Sequence, residues 1–178
     1  RARLIAELDL EFPNDNGLLV SVLMNQVTLQ PGQALFLPAG NIHSYLSGLG
    51  VEVMAASDNV LRGGLTKKPI DLEELMQLLM FEPLIDPLVQ AKMLSQGLEE
   101  YPVPVEDFSF YRVTPSSDCM LVDLALNGSA ILVCVAGEIT LSNSLDELIQ
   151  LAPGEAAFMR AAKFFSITGS GTGYLAIG

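Results

Sequence analysis

Apolar positions are dense along this chain, and their spacing changes from one segment to the next. From Gly17 to Leu37 the text GLLVSVLMNQVTLQPGQALFL predicts two apolar strands separated at Pro31-Gly32, where proline fixes one backbone angle and glycine permits the positive one. Strand character returns from Val51 to Ala55, beyond a loop holding His43, Tyr45 and Gly48. Between Pro69 and Leu98 the period becomes helical. Asp71 stands as an N-cap, Leu72, Leu75, Met76 and Leu79 share one face, and breaks near Pro83 and Pro87 leave one or two helices. The methionines of this stretch read as core packing. After Tyr101 no helical period returns, and strands are predicted near Phe108 to Val113, Met120 to Ala125, Ala130 to Val135, Glu138 to Thr140 and Tyr174 to Ile177. The opening residues RARLIAELDLEF alternate apolar with charged positions and fit a strand or a helix already inside a domain.

The most informative organisational feature is an internal repeat. Leu29-x-Pro31-Gly32-x-Ala34-x-Phe36 matches Leu151-x-Pro153-Gly154-x-Ala156-x-Phe158, and in the same register His43 falls opposite Phe165 and Ser44 opposite Ser166. Two copies of one β unit follow, with an imidazole in the first where the second has a phenyl ring. The first copy can therefore offer a metal ligand and the second cannot. The expected organisation is mainly β: strands carrying the His43 motif over 1–66, a helical connector over 67–100, and a second β unit without a metal ligand over 101–178.

Composition narrows the function classes. The chain has 178 residues, half of them hydrophobic, which suffices for a folded protein with one good core or two small ones. A net charge of −12 with nine Lys plus Arg excludes a nucleic-acid partner, which needs a basic stripe to neutralise phosphates. No apolar run reaches the roughly 20 residues of a membrane helix, so no membrane association is expected. The first residue is not Met, a hint that something precedes it in the gene product. Cys119 and Cys134 lack metal-ligand or redox spacing and read as buried thiols in a reducing cytoplasm.

Starting at Gly32, the sequence G-QALFL-P-A-G-NI-H-SYL-S resembles the second conserved motif of cupins, with Ser47 where the motif ends in Asn. The Pro38-x-Gly40 turn reverses the chain, and the strand that follows would aim His43 inward from a barrel wall toward a divalent metal. Outside such a motif, a lone His is more often a hydrogen-bonded loop or core residue. Cupins carry their other ligands in an earlier motif of His, Gln and Glu, and nothing upstream of Gly32 offers that cluster. Over a wider window, FPNDNG, LMNQVTLQPGQALFLPAGNIHSYLSG and VEVMAASDNVLRGGLT resemble the type I mannose-6-phosphate isomerase family, and the helical stretch and PVPVEDF extend the resemblance less specifically.

That resemblance implies two cupin-like, jelly-roll β units joined by a short helical segment, forming the C-terminal portion of a zinc enzyme that interconverts mannose 6-phosphate and fructose 6-phosphate. The implied setting is carbohydrate metabolism and GDP-mannose biosynthesis. His43 takes the place of the last zinc ligand, and a Gln, a His and a Glu come from the N-terminal portion of the same enzyme. Arg62 takes the place of an active-site Arg, with Asp58 of the same SDNVLR stretch beside it. Moving a carbonyl from C1 to C2 passes through an enediolate, which a metal and a guanidinium both suit. Asp58 serves equally well as a turn-capping carboxylate. Lys67 and Lys68 fit a solvated pair before a helix better than a phosphate site, and Glu52 is no ligand candidate, since strand alternation alone does not say which face is interior. The alternative is a non-catalytic two-copy cupin module that binds a sugar or a partner protein. A cupin oxygenase would need more His ligands than a chain with one His contains.

Overall fold

The structure is a computed structural model that describes residues 1–57, 60–143 and 147–178. The chain is mainly β with antiparallel pairing, as its patterning predicts, and it divides into two compact units. One comprises Arg1–Gln30, Leu37–Gly48 and Ala56–Pro87, the other Pro31–Phe36, Leu49–Ala55 and Leu88–Gly178.

The second unit holds the core. Its sheet runs β3 (Lys92–Ser95), β4 (Leu98–Glu100), β5 (Ser109–Val113), β10 (Ala162–Ile177), β7 (Ala130–Asn143) and β8 (Leu148–Leu151), while β6 (Leu121–Leu126) pairs with β10 and β9 (Ala156–Met159) pairs with β7. Ala130, Leu132 and Cys134 face inward at even positions of β7, but Ile139 and Leu141 face inward at odd ones. The switch lies at a bulge: Thr172 pairs with Ala136 while the next residue, Gly173, pairs with Cys134. One extra residue reverses the alternation and keeps both halves of β7 on the core. Val113, Leu132, Ile139, Ile167 and Leu175 form the centre of that core, and both cysteines are buried as free thiols, the outcome expected for them. Glu138 to Thr140, expected as a separate strand, is the continuation of β7.

The repeat is visible where its turns are. Gly32 and Gly154 both take positive φ, 83° and 90°, and a strand starts two residues later in each copy, β1 (Ala34–Leu35) and β9. β1 pairs with β2 (Leu88–Val89), and β9 pairs with β7. Phe165 is buried in the core of its unit, as expected of the copy without the imidazole.

Residues 1–87 depart from the strand expectations. The opening segment takes the helical alternative as α1 (Ala2–Glu11), and Gly17 to Leu23, expected as a strand, is α2 (Gly17–Leu23). An apolar run does not distinguish a buried strand from a helix by period alone. Here the Asp15 carboxylate accepts the first helical N–H, that of Gly17, at 2.7 Å, which satisfies a donor that helix formation leaves free. Val51 to Ala55, also expected as a strand, has no ladder partner among the described residues. The helical stretch yields one helix, α3 (Leu72–Leu78), opened by Asp71, whose Oδ1 accepts the Glu74 N–H at 3.0 Å. Beyond Pro83 and Pro87 the chain pairs as β2, β3 and β4 instead of forming a second helix. Among the described residues no helix is long and apolar enough to cross a membrane.

Candidate functional site

Both described candidates, His43 and Arg62, belong to the first unit. His43 follows the Pro38-Ala39-Gly40 turn, closed by the Asn41 N–H donating to the Pro38 carbonyl at 3.2 Å, and lies in irregular backbone with its ring exposed. The strand expected to carry it does not form. Its Nδ1 stands 3.0 Å from the Asn41 carbonyl oxygen. A carbonyl only accepts, so in the neutral ring Nδ1 carries the proton and Nε2 keeps its lone pair. Metal-binding imidazoles use this arrangement to fix the tautomer and the ring's aim. Tyr45 meets the ring edge-on, with centroids 6.0 Å apart.

Contacts among the described residues join the His43 segment to the rest of its unit. The Met80 N–H, just past α3, donates to the Gly40 carbonyl at 2.9 Å. Ile42, next to His43, packs on Gly63, next to Arg62, so closely that a Cβ on Gly63 would stand 2.5 Å from the Ile42 Cδ1. The residues flanking the two candidates are thus in contact, and a side chain at 63 would push the Ile42 Cδ1 aside.

Gly64 has an equivalent use. A Cβ there would stand 2.6 Å from the Cα of Gly17, and Leu65 after it takes a left-handed φ of 51°. Asp15 holds this arrangement together, its Oδ1 accepting the Leu65 N–H at 3.0 Å as well as that of Gly17. These backbone donors, Leu65 first and Gly17 next, hold the Asp15 carboxyl below the ordinary value of 3.8. Asp15 was not a candidate on sequence grounds, although FPNDNG stood within the family resemblance. Arg62 is half-buried and directly precedes the two contact points, Gly63 against Ile42 and Leu65 bonded to Asp15.

Asp58 lies outside the described residues. Lys67 and Lys68 are exposed, in keeping with a solvated pair, and Glu52 is exposed while Val51 and Val53 are half-buried. Among the described residues no three His, Cys, Asp or Glu side chains come together in a way that could hold a metal ion.

In the second unit Tyr101 is 2% exposed and donates its hydroxyl to the Gly32 carbonyl at 2.7 Å. Its ring stacks with Phe110 and Tyr174, and burial pushes its phenol up to about 12. Arg112 pairs with Glu99 and lies against Gly32. The turn that opens the His43 motif is therefore held by side chains of the core unit.

No family model matches the chain. Curated relatives do. The chain is 43% identical over 175 residues to a mannose-6-phosphate isomerase of Escherichia coli, covering 98% of this chain and 43% of the relative. It is also 43% identical over 173 residues to that of Salmonella typhimurium, covering 93% and 41%. A crystal structure of a phosphomannose isomerase variant from Salmonella typhimurium matches with a TM-score of 0.85 and 35% identity, over 99% of this chain and 45% of that one. The chain thus spans less than half the length of the relatives it matches.

Proposed function

We propose that this chain, a homologue of the mannose-6-phosphate isomerases over nearly all of its 178 residues, is the C-terminal portion of an enzyme that interconverts mannose 6-phosphate and fructose 6-phosphate. The observation that carries the reading is the 43% identity across 98% of the chain, joined to a shared backbone over 99% of it.

In this reading His43 supplies one zinc ligand through Nε2, the atom left free when Nδ1 donates to Asn41. The chemistry of the donor fits, since a neutral imidazole with a fixed tautomer is an ordinary zinc ligand, and the other ligands come from the N-terminal portion. Bound zinc supplies Lewis acidity toward sugar oxygens. Arg62 holds the anionic intermediate through its planar donors, and Asp58 acts in the same stretch. The Ile42 to Gly63 contact and the Asp15 bond to Leu65 hold the backbone that follows Arg62. The base that moves the proton between C1 and C2 lies outside this assignment. The two β units and their helical connector remain the proposed division of the chain. A reducing cytoplasm suits the two free thiols, and the product would serve GDP-mannose synthesis.

The test joins the chain to the portion of the Escherichia coli relative outside the match and measures fructose 6-phosphate formation with zinc content. Turnover that disappears, with zinc, on His43→Ala is the expected result. Turnover and zinc content indifferent to that change would remove His43 from the site. The lone exposed imidazole gives some support to a second reading, a non-catalytic module, which requires the joined protein to be folded and inert.

A further inference from the structure

Among the described residues of its unit, Gly17 is the one that is buried, and the Asp15 carboxylate lies against it. The start of α2 accounts for the bond from the Gly17 N–H, because a helix opens with donors that lack intrahelical partners. It does not account for Leu65. That residue lies 50 positions beyond Asp15 and three past Arg62, and its N–H reaches the same oxygen at 3.0 Å. To present it, the backbone takes φ of 129° at Gly64 and 51° at Leu65. Two successive positive values, the second at a residue with a Cβ, are a conformation the chain does not adopt unaided. Such backbone persists where the surroundings impose it, and it gathers at functional sites. The packing here is correspondingly tight. A Cβ on Gly17 would stand 2.8 Å from the Leu65 nitrogen.

What the imposed geometry governs is the residue just before it. Arg62 is followed by Gly63 and Gly64, and glycine restricts the backbone least of all residues, so the local sequence leaves the aim of the arginine open. The Asp15 bond closes it. Three residues span roughly 11 Å at most, so release of Leu65 is felt at Arg62, and a misplacement of about 1 Å at a reacting centre costs on the order of a hundredfold in rate. The donors, Leu65 first and Gly17 next, also hold the Asp15 carboxyl below its ordinary value, which keeps it ionised and accepting at neutral pH.

We propose that Asp15 is a positioning residue of the isomerase site: by accepting the Leu65 N–H it fixes the segment from Arg62 to Leu65 so that the guanidinium meets the anionic intermediate. This rests on the functional reading above, in which Arg62 holds that intermediate, and it extends the site to a carboxylate that touches no reacting atom.

The experiment uses the joined enzyme described above, with zinc content and melting temperature measured for every variant. Asp15→Ala should lower kcat roughly tenfold to a hundredfold with KM within about twofold of the parent, since only the placement of an arginine is lost. Asp15→Asn should restore most of that rate, because its amide oxygen accepts the same N–H groups. The deciding measurement is a double-mutant cycle. In an Arg62→Lys background the aim of the guanidinium is already gone, so Asp15→Ala should lower kcat by less than about twofold further. Amide exchange of the free chain gives a readout apart from turnover: Asp15→Ala should speed exchange at Leu65 and leave 130–141 unchanged. If the alanine variant does not fold, Asp15→Glu, which keeps the charge but shifts the oxygen by one methylene, carries the same cycle. Losses in kcat that multiply across the cycle, a loss confined to KM, or full turnover despite faster exchange at Leu65 would each overturn the proposal and leave the isomerase reading standing. A joined parent that is folded, zinc-loaded and inert would overturn that reading and the role of Asp15 with it.

Discussion

Replacing Tyr101 by Phe separates two contributions that meet in one side chain. The ring stacks on Phe110 at 5.6 Å and on Tyr174 at 6.4 Å between centroids, and Phe keeps both contacts. What is lost is the hydroxyl that donates to the Gly32 carbonyl at 2.7 Å. A neutral hydrogen bond contributes about 1 kcal/mol net, and a carbonyl left without its partner adds about 1 kcal/mol more if water cannot reach it. The expected loss is therefore about 1–2 kcal/mol. Tyr101→Ala, which also empties a fully buried aromatic position, should cost about 3–5 kcal/mol. Urea unfolding measured by the circular dichroism of the sheet should show lower midpoints at constant slope. Titration supplies an independent check. The Tyr101 phenol sits at about 12 in the folded chain against 10.0 when unfolded. Below pH 10 both states hold the proton. Between pH 10 and about 12 the unfolded chain releases it while the folded chain keeps it, so stability falls as pH rises through that window. The Phe variant lacks this contribution, and its stability should approach that of the parent toward pH 12. A Phe variant as damaged as the Ala variant, or one whose pH dependence matches the parent, would refute the argument.

The free chain should bind zinc weakly, because one imidazole supplies one of about four ligands of a stable site; calorimetry showing tight stoichiometric binding would mean that further ligands exist in the chain. In the joined enzyme, Arg62→Lys should lower kcat on the order of a hundredfold to a thousandfold with little change in KM, since charge survives but planar two-point bonding does not. A rise in KM alone would make Arg62 a ground-state contact. Asp15 contributes stability that is complete above pH 3.8 and is lost as pH falls through its lowered folded value; acid unfolding of Asp15→Asn should lack that component, and amide exchange at Leu65 should report the change locally.

The second β unit was legible in outline because each strand there is bounded by turn residues and is rich in β-branched and apolar side chains. The sequence did not show that Ala130 to Asn143 is continuous, since the bulge that reverses its alternation leaves no separate mark in the residues. Asp71 was readable as a cap because its bond to Glu74 is local. Asp15 was not, because its bond to Leu65 spans 50 residues and no local pattern announces such a partner. Gly17 to Leu23 misled because an apolar run reads alike as strand or helix when nothing yet says what will flank it. For the site, the adjacency of Ile42 and Gly63 is a tertiary fact, and the family resemblance, not periodicity, had put His43 and Arg62 together.

The placement of β10 has a consequence for synthesis. This strand, Ala162–Ile177, follows every other strand of the main sheet along the chain and pairs with β5, β6 and β7, so it joins both sides of that sheet. A ribosome releases the chain from its N-terminus onward, and at about 5–20 residues per second the earlier strands emerge before their common partner exists. Until then β5 and β7 each present an unpaired edge, and Val113, Leu132 and Ile139 lack the side chains of Ile167 and Leu175 that complete their core. Formation of the sheet is therefore deferred until β10 has emerged, and a nascent chain stalled before that point carries open edges capable of pairing with the wrong partner.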